Sequence, residues 1–147
     1  MFARVKSTSC VSSRAVTARE ALNWGEQWIQ AIAPHTDAPC AFFDIDFTLI
    51  DAMGKPILET VGLLKKCEAL GVQVFYITAR PESGRSETLR ALRAIDLQPR
   101  SSSLAMFPPE LEVTYESIGR MKRKHRARYA QQMTPILNVG DAFTDGG

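Results

Sequence analysis

Two pairs of aspartates draw attention by their spacing. Asp44 and Asp46 lie two residues apart, directly after the apolar run Ala41–Phe43. Asp141 and Asp145 follow another apolar run, within PILNVGD at 135–141. Carboxylates this close do not all ionise cheaply without a cation or a shared proton. A hard divalent cation held by oxygens resolves that conflict, and magnesium is the usual choice. One aspartate at such a place is ordinarily a turn residue or a helix cap; four of them at two strand ends exceed what folding needs. Thr78 ends a third apolar run, VQVFYIT at 72–78. A basic stretch, RMKRKHRAR at 120–128, carries Arg120, Lys122, Arg123, Lys124, Arg126 and Arg128. Most of these charges are expected on a solvated helix face.

The elements that must position these residues follow from hydrophobic periodicity. Residues 17–33 read as a helix, with Ala21, Trp24, Trp28 and Ile32 as an apolar stripe. Thr17 is its N-cap with Glu20 three residues on, and Pro34 ends it. Ala41–Phe43 has no period, as expected of a strand buried on both faces of a parallel sheet. Residues 57–70 predict a helix with Val61, Leu64, Lys65 and Leu70 on an imperfect face, stopped by Gly71. A strand at 72–78, a helix at 82–95, a short strand at 104–107, a basic helix at 115–132 and a strand at 135–141 complete the series. Strands alternating with helices predict an α/β fold, a three-layer, doubly wound, Rossmann-like parallel sheet. Ligands bind at the carboxyl ends of the strands in such sheets, and Asp44, Thr78 and Asp141 all fall there.

Four segments in this order resemble the motifs of the haloacid dehalogenase (HAD) superfamily. Phe43-Asp44-Ile45-Asp46-Phe47-Thr48-Leu49-Ile50 resembles its first motif, D-x-D-x-T. Ile77-Thr78-Ala79-Arg80 resembles the second, and Val139-Gly140-Asp141-Ala142-Phe143-Thr144-Asp145 the fourth, G-D-x-x-x-D. Lys122 is the best fit to the third motif and Lys124 its rival. Lys122-x-x-x-Arg126 followed by Asn138-Val139-Gly140-Asp141 is most similar to the class B and plant acid-phosphatase-like branch. The resemblance implies a phosphomonoester hydrolase with Asp44 as nucleophile and Asp46 as general acid and base. Lys122 would stabilise charge, while Thr78 and the backbone of Ala79 would bind the phosphoryl group. Mg²⁺ would be held by Asp44, the backbone carbonyl of Asp46 and Asp141, with Asp145 behind them. Phe47 departs from the small or polar residue often found at its place. The intervals 49–74 and 81–121 are too short for a large cap domain, so an open site is expected. A dimer partner would serve as a substitute cap. Relatives continue with a helix beyond the fourth motif, whereas this sequence stops two residues after Asp145.

The composition agrees with a folded enzyme. The chain has 147 residues, 45 % of them apolar, and a formal charge of +2 from 18 basic and 16 acidic residues. It is therefore no disordered polyelectrolyte, coiled-coil rod or disulfide-stapled miniprotein, and no apolar run approaches a membrane span. Cys10, Cys40 and Cys67 are odd in number without C-x-x-C spacing. With only His35 and His125 beside them they predict reduced thiols, not a structural zinc site. Residues 1–16 are expected to form a flexible basic N-terminus, ahead of a domain at 17–147 made of the helix at 17–33 and a core at 41–147. A cytoplasmic chain fits best, although the acid-free, serine-rich start also matches an organelle transit segment. A small phosphorylated substrate is the first expectation. Two alternatives stand beside it: a nucleotide or nucleic-acid-end phosphatase using the helix at 120–128, and a catalytically weakened relative that binds phosphoryl ligands.

Overall fold

The computed structural model describes residues 17–141 and the backbone of residues 2–4. Its elements are β1 (Phe2–Arg4), α1 (Ala18–Ile32), β2 (Pro39–Phe43), α2 (Leu58–Ala69), β3 (Gln73–Pro81), α3 (Arg85–Ala94), β4 (Leu104–Phe107), α4 (Tyr115–Tyr129) and β5 (Thr134–Gly140). The strands form one sheet in the order β1-β5-β2-β3-β4. β5, β2, β3 and β4 are mutually parallel, and β1 pairs antiparallel with β5 on its outer edge. Three residues expected in a flexible N-terminus thus form an edge strand; residues 5–16 lie outside the described residues.

Alternation along the strands sorts side chains onto two faces. Ala41, Phe43, Val74, Tyr76, Leu104 and Met106 meet α1, α2 and α3 through Ile29, Leu64 and Leu92. Cys40, Phe42, Phe75, Ile77, Ala105 and Phe107 meet α4 through Met121 and Tyr129. The Tyr129 ring stacks on Phe75 with centroids 3.8 Å apart. Three helices therefore cover one face and one covers the other, the three layers that the alternation of elements predicts.

The chain moves outward from β2 to β3 and β4 through α2 and α3 on one face. It returns through α4 on the opposite face, to place β5 on the other side of β2. Right-handed crossovers demand that change of face when the direction reverses. The strand order turns around between β2 and β5, which opens a crevice at their carboxyl ends. Asp44 and Asp141 stand on its two sides. Among the described residues no cap domain is inserted, and residues 45–57 form a compact loop braced by Asp46–Ile50 and Ile50–Pro56 bridges.

Local chemistry accounts for most boundaries. Thr17 and Glu20 form the expected capping box: the Thr17 hydroxyl accepts from the Glu20 amide and the Glu20 carboxylate from the Thr17 amide. Gly71, at φ +75°, ends α2 in the left-handed region. Trp24 departs from the apolar stripe, being 56 % exposed. The buried face of α1 runs through Ala21, Gly25 and Ile29, and Trp24 sits roughly a quarter turn outside it. Trp28 does pack inward and donates its indole N–H to the carbonyl of Ile136 at 2.8 Å. The stretch expected as one helix at 82–95 begins as a 3₁₀ turn over 82–84.

Candidate active site

Asp44 lies immediately beyond β2. Its backbone N–H donates to the carbonyl of Val139 at 2.9 Å, which ties the end of β2 to β5 at the crevice. Lys122 reaches it from α4, with Nζ 3.0 Å from Asp44 Oδ2; the two side chains are 3 % and 9 % exposed. Attraction between buried charges is largely spent on their desolvation, so such a pair is a poor way to hold a fold together and an effective way to prepare a charged site. Helical period decides which lysine arrives. Lys122 and Arg126, four residues apart, are turned inward, and Lys124 is on the solvent side. Arg120 pairs with Glu116 at 2.7 Å, and Arg123 and Arg128 are exposed. The basic stretch is therefore less of an open cationic face than its composition suggests.

Asp46 is held by Arg80. The guanidinium donates from Nε to both carboxylate oxygens, at 3.1 and 2.9 Å, and from Nη2 to Oδ1 at 2.6 Å. The hydrogen bond to Asp46, with the negative charge of Asp46, Glu87 and Asp44, lifts the Arg80 pKa above its ordinary value despite partial burial. The turn after Asp46 is wound tightly: the carbonyl of Ile45 accepts from the amides of Thr48, Leu49 and Ile50. Phe47 takes a left-handed φ of +57° with its side chain exposed.

β3 extends to Pro81, three residues past the strand end expected at Thr78. Its pairing with β4 shifts register between Ile77 and Pro81. Thr78, Ala79 and Arg80 occupy that irregularity, and such bulges re-aim side chains near active sites. Thr78 is fully buried, its hydroxyl accepting from the Arg80 amide at 3.2 Å, and Ala79 is half-buried beside it. Arg80 is the site residue that motif spacing did not assign. The sequence marks it as a cation at a strand end, in Ile77-Thr78-Ala79-Arg80, but no local pattern pairs it with Asp46.

Asp141 follows β5 and is half-buried; Asp145 lies outside the described residues. Among the described residues no three His, Cys, Asp or Glu side chains cluster as a metal site. The anticipated set is of another composition, two carboxylates and one backbone carbonyl. Asp44 and Asp141 follow adjacent strands paired at Phe43–Val139, where spacing across the sheet is about 4.8 Å. These donors are all hard oxygens, which suits a divalent cation that keeps several waters.

A family model described as HAD superfamily, subfamily IIIB (acid phosphatase) matches residues 51–145. The chain belongs to this family. The match takes in Thr78, Lys122, Asp141 and Asp145, and it begins five residues after Asp46. Among solved structures, the class C acid phosphatase from Bacillus anthracis superposes with a TM-score of 0.69 at 17 % identity, over 86 % of this chain and 62 % of that one. The same enzyme with tungstate bound gives 0.64 at 22 % identity, over 88 % and 66 %. At such identities the likeness shows a shared HAD-type fold, and this chain spans just under two thirds of the length of those relatives. No curated protein matches the sequence. Among the described residues no helix is long and apolar enough to cross a membrane.

Proposed function

We propose that the chain is a magnesium-dependent phosphomonoester hydrolase working through a phosphoryl group carried on Asp44. The observation that carries this reading is the buried Lys122–Asp44 contact at 3.0 Å, at the sheet's switch point. A carboxylate oxygen of Asp44 attacks phosphorus, and the bond to the leaving oxygen breaks in line. Lys122 neutralises charge on the nucleophile and on the transferring group. The Thr78 hydroxyl and the backbone N–H of Ala79 donate to phosphoryl oxygens. Asp46 gives its proton to the leaving alcohol. It then takes one from the water that attacks the phosphorylated Asp44, which frees phosphate and restores the carboxylate.

Arg80 fits this cycle as a positioning residue. Its three hydrogen bonds use two acceptor sites on Asp46 Oδ1 and one on Oδ2. One of the roughly four lone pairs of a carboxylate thus stays open, on Oδ2, for the transferred proton. The negative charge of an arriving phosphate also competes for the guanidinium and loosens its hold on Asp46. Asp44, the backbone carbonyl of Asp46 and Asp141, with Asp145 behind them, would hold Mg²⁺, which supplies further neutralisation of phosphoryl charge.

The test is phosphate release from p-nitrophenyl phosphate across a magnesium titration, in the wild type and in Asp44→Asn. Magnesium-dependent release that vanishes in the variant supports the reading, and equal behaviour of the two proteins overturns it.

A further inference from the structure

Residues 45–50 wind into one tight turn, with the carbonyl of Ile45 accepting from the amides of Thr48, Leu49 and Ile50. Ile45, Thr48 and Leu49 are fully buried and Ile50 nearly so, which leaves Asp46 and Phe47 as the two members that reach solvent. Their Cα atoms are about 3.8 Å apart across one trans peptide. Wherever the Asp46 carboxylate meets a leaving oxygen, the atoms bonded to that oxygen therefore come within a side chain's length of Phe47.

An exposed phenylalanine is by itself ordinary, but the backbone sets this one apart. At φ +57° it occupies the left-handed region, which glycine enters freely and a bulky residue does not. The turn is locked in that shape: the Phe47 amide donates to the carbonyl of Ile50 at 2.8 Å, and the Asp46–Ile50 bridge closes it. Core packing does not account for a phenyl group here, since the residue is 59 % exposed. A side chain that adds nothing to the core and costs the backbone is of the kind kept at functional sites.

The ring offers a flat apolar face and no hydrogen bond. Both carboxylates of the loop are already engaged, Asp46 by three bonds from Arg80 and Asp51 Oδ1 by the amides of Met53 and Lys55 at 2.8 Å. Met53 and Leu58, farther along, are exposed and apolar. This side of the crevice has little to give a hydroxyl-rich leaving group and a stacking face for a planar one.

We propose that Phe47 is a specificity-determining contact that stacks on the leaving group, so that the preferred substrates are phosphomonoesters with an aromatic ring within a bond or two of the ester oxygen. The inference rests on the hydrolase reading above and adds the substrate class to it.

Benzyl phosphate and cyclohexylmethyl phosphate test this, because they match in carbon skeleton and differ in whether the ring is flat. The wild type should show kcat/KM at least about fivefold higher for the benzyl ester, the size of one ring–ring contact. Phe47→Leu, which keeps an apolar side chain, should bring the ratio to about one, and Phe47→Tyr should retain it. Benzylphosphonate and cyclohexylmethylphosphonate, which are not hydrolysed, should show the same ratio as inhibitors, and circular dichroism checks that each variant is folded. No release from any ester by the wild type would overturn the hydrolase reading and this proposal with it. Release by the wild type without preference, or the same preference in Phe47→Leu, would overturn this proposal alone.

Discussion

At the bottom of the crevice the Asp44 carboxylate faces the Lys122 ammonium in a place with almost no water. Removing one partner leaves the other's charge poorly compensated, a loss of about 3–5 kcal/mol for a buried pair. Lys122→Met should therefore lower the melting temperature and cut phosphate release by about 10²–10³-fold. Adding Asp44→Asn should recover much of the stability and none of the activity, as thermal melts and phosphate assays on the three proteins would show. Arg80→Ala disturbs Asp46, the proposed general acid, instead. It should slow alkyl phosphates by about tenfold or more while sparing p-nitrophenyl phosphate, whose leaving group needs little protonation. Equal slowing of both substrates would remove Arg80 from that role. Spacing singled out Asp44, Asp46 and Thr78 at strand ends and the family resemblance put Lys122 before Lys124; the structure brings Lys122 to Asp44. The Arg80 fork was not legible, because it joins residues 34 positions apart through a register shift that no local pattern encodes.

Among the elements, the turn after β2 and helix α4 carry the most consequence for the site. Phe47 holds a φ of +57° with its ring in solvent, a conformation that costs a bulky residue about 1–2 kcal/mol. Phe47→Gly should raise the chemical-denaturation midpoint by the equivalent of about 1 kcal/mol; an unchanged midpoint would mean that the turn carries no strain. On α4, His125 is held below its ordinary pKa of 6.5, by burial and then by Arg128 and Lys124. The folded chain thus favours neutral imidazole. That contribution is fully present above the unfolded value and is lost as pH falls through the folded one. Melting temperatures measured from neutral pH downward should fall more steeply in the wild type than in His125→Gln. Periodicity placed each main helix and parallel strand, because burial on one or both faces is written in residue order. It misjudged Trp24, since a stripe of spacing marks a face without telling which edge of it meets the sheet. Phe2–Arg4 also escaped notice, because three residues are too few to show a period.

For the molecule as a whole, the sheet order follows from element alternation and handedness. Four parallel strands with helices on both faces leave one switch point, and the aspartates after β2 and β5 flank it. The order of strands and the side on which α4 returns were legible only as a class, because strand neighbours are chosen by tertiary packing. Two of the three cysteines expected as thiols, Cys40 and Cys67, are free and buried, each with a pKa pushed up to about 12 by burial; Cys10 lies outside the described residues. The proposed cycle requires this fold to aim Asp44 at phosphorus. It is tested most directly by quenching the protein with acid during turnover of p-nitrophenyl phosphate and reading the peptide that contains Asp44 by mass spectrometry. This peptide should gain the mass of one phosphoryl group in the wild type and nothing in Asp44→Asn. Sustained turnover with no labelled Asp44 peptide, or the same label in the variant, would contradict that cycle.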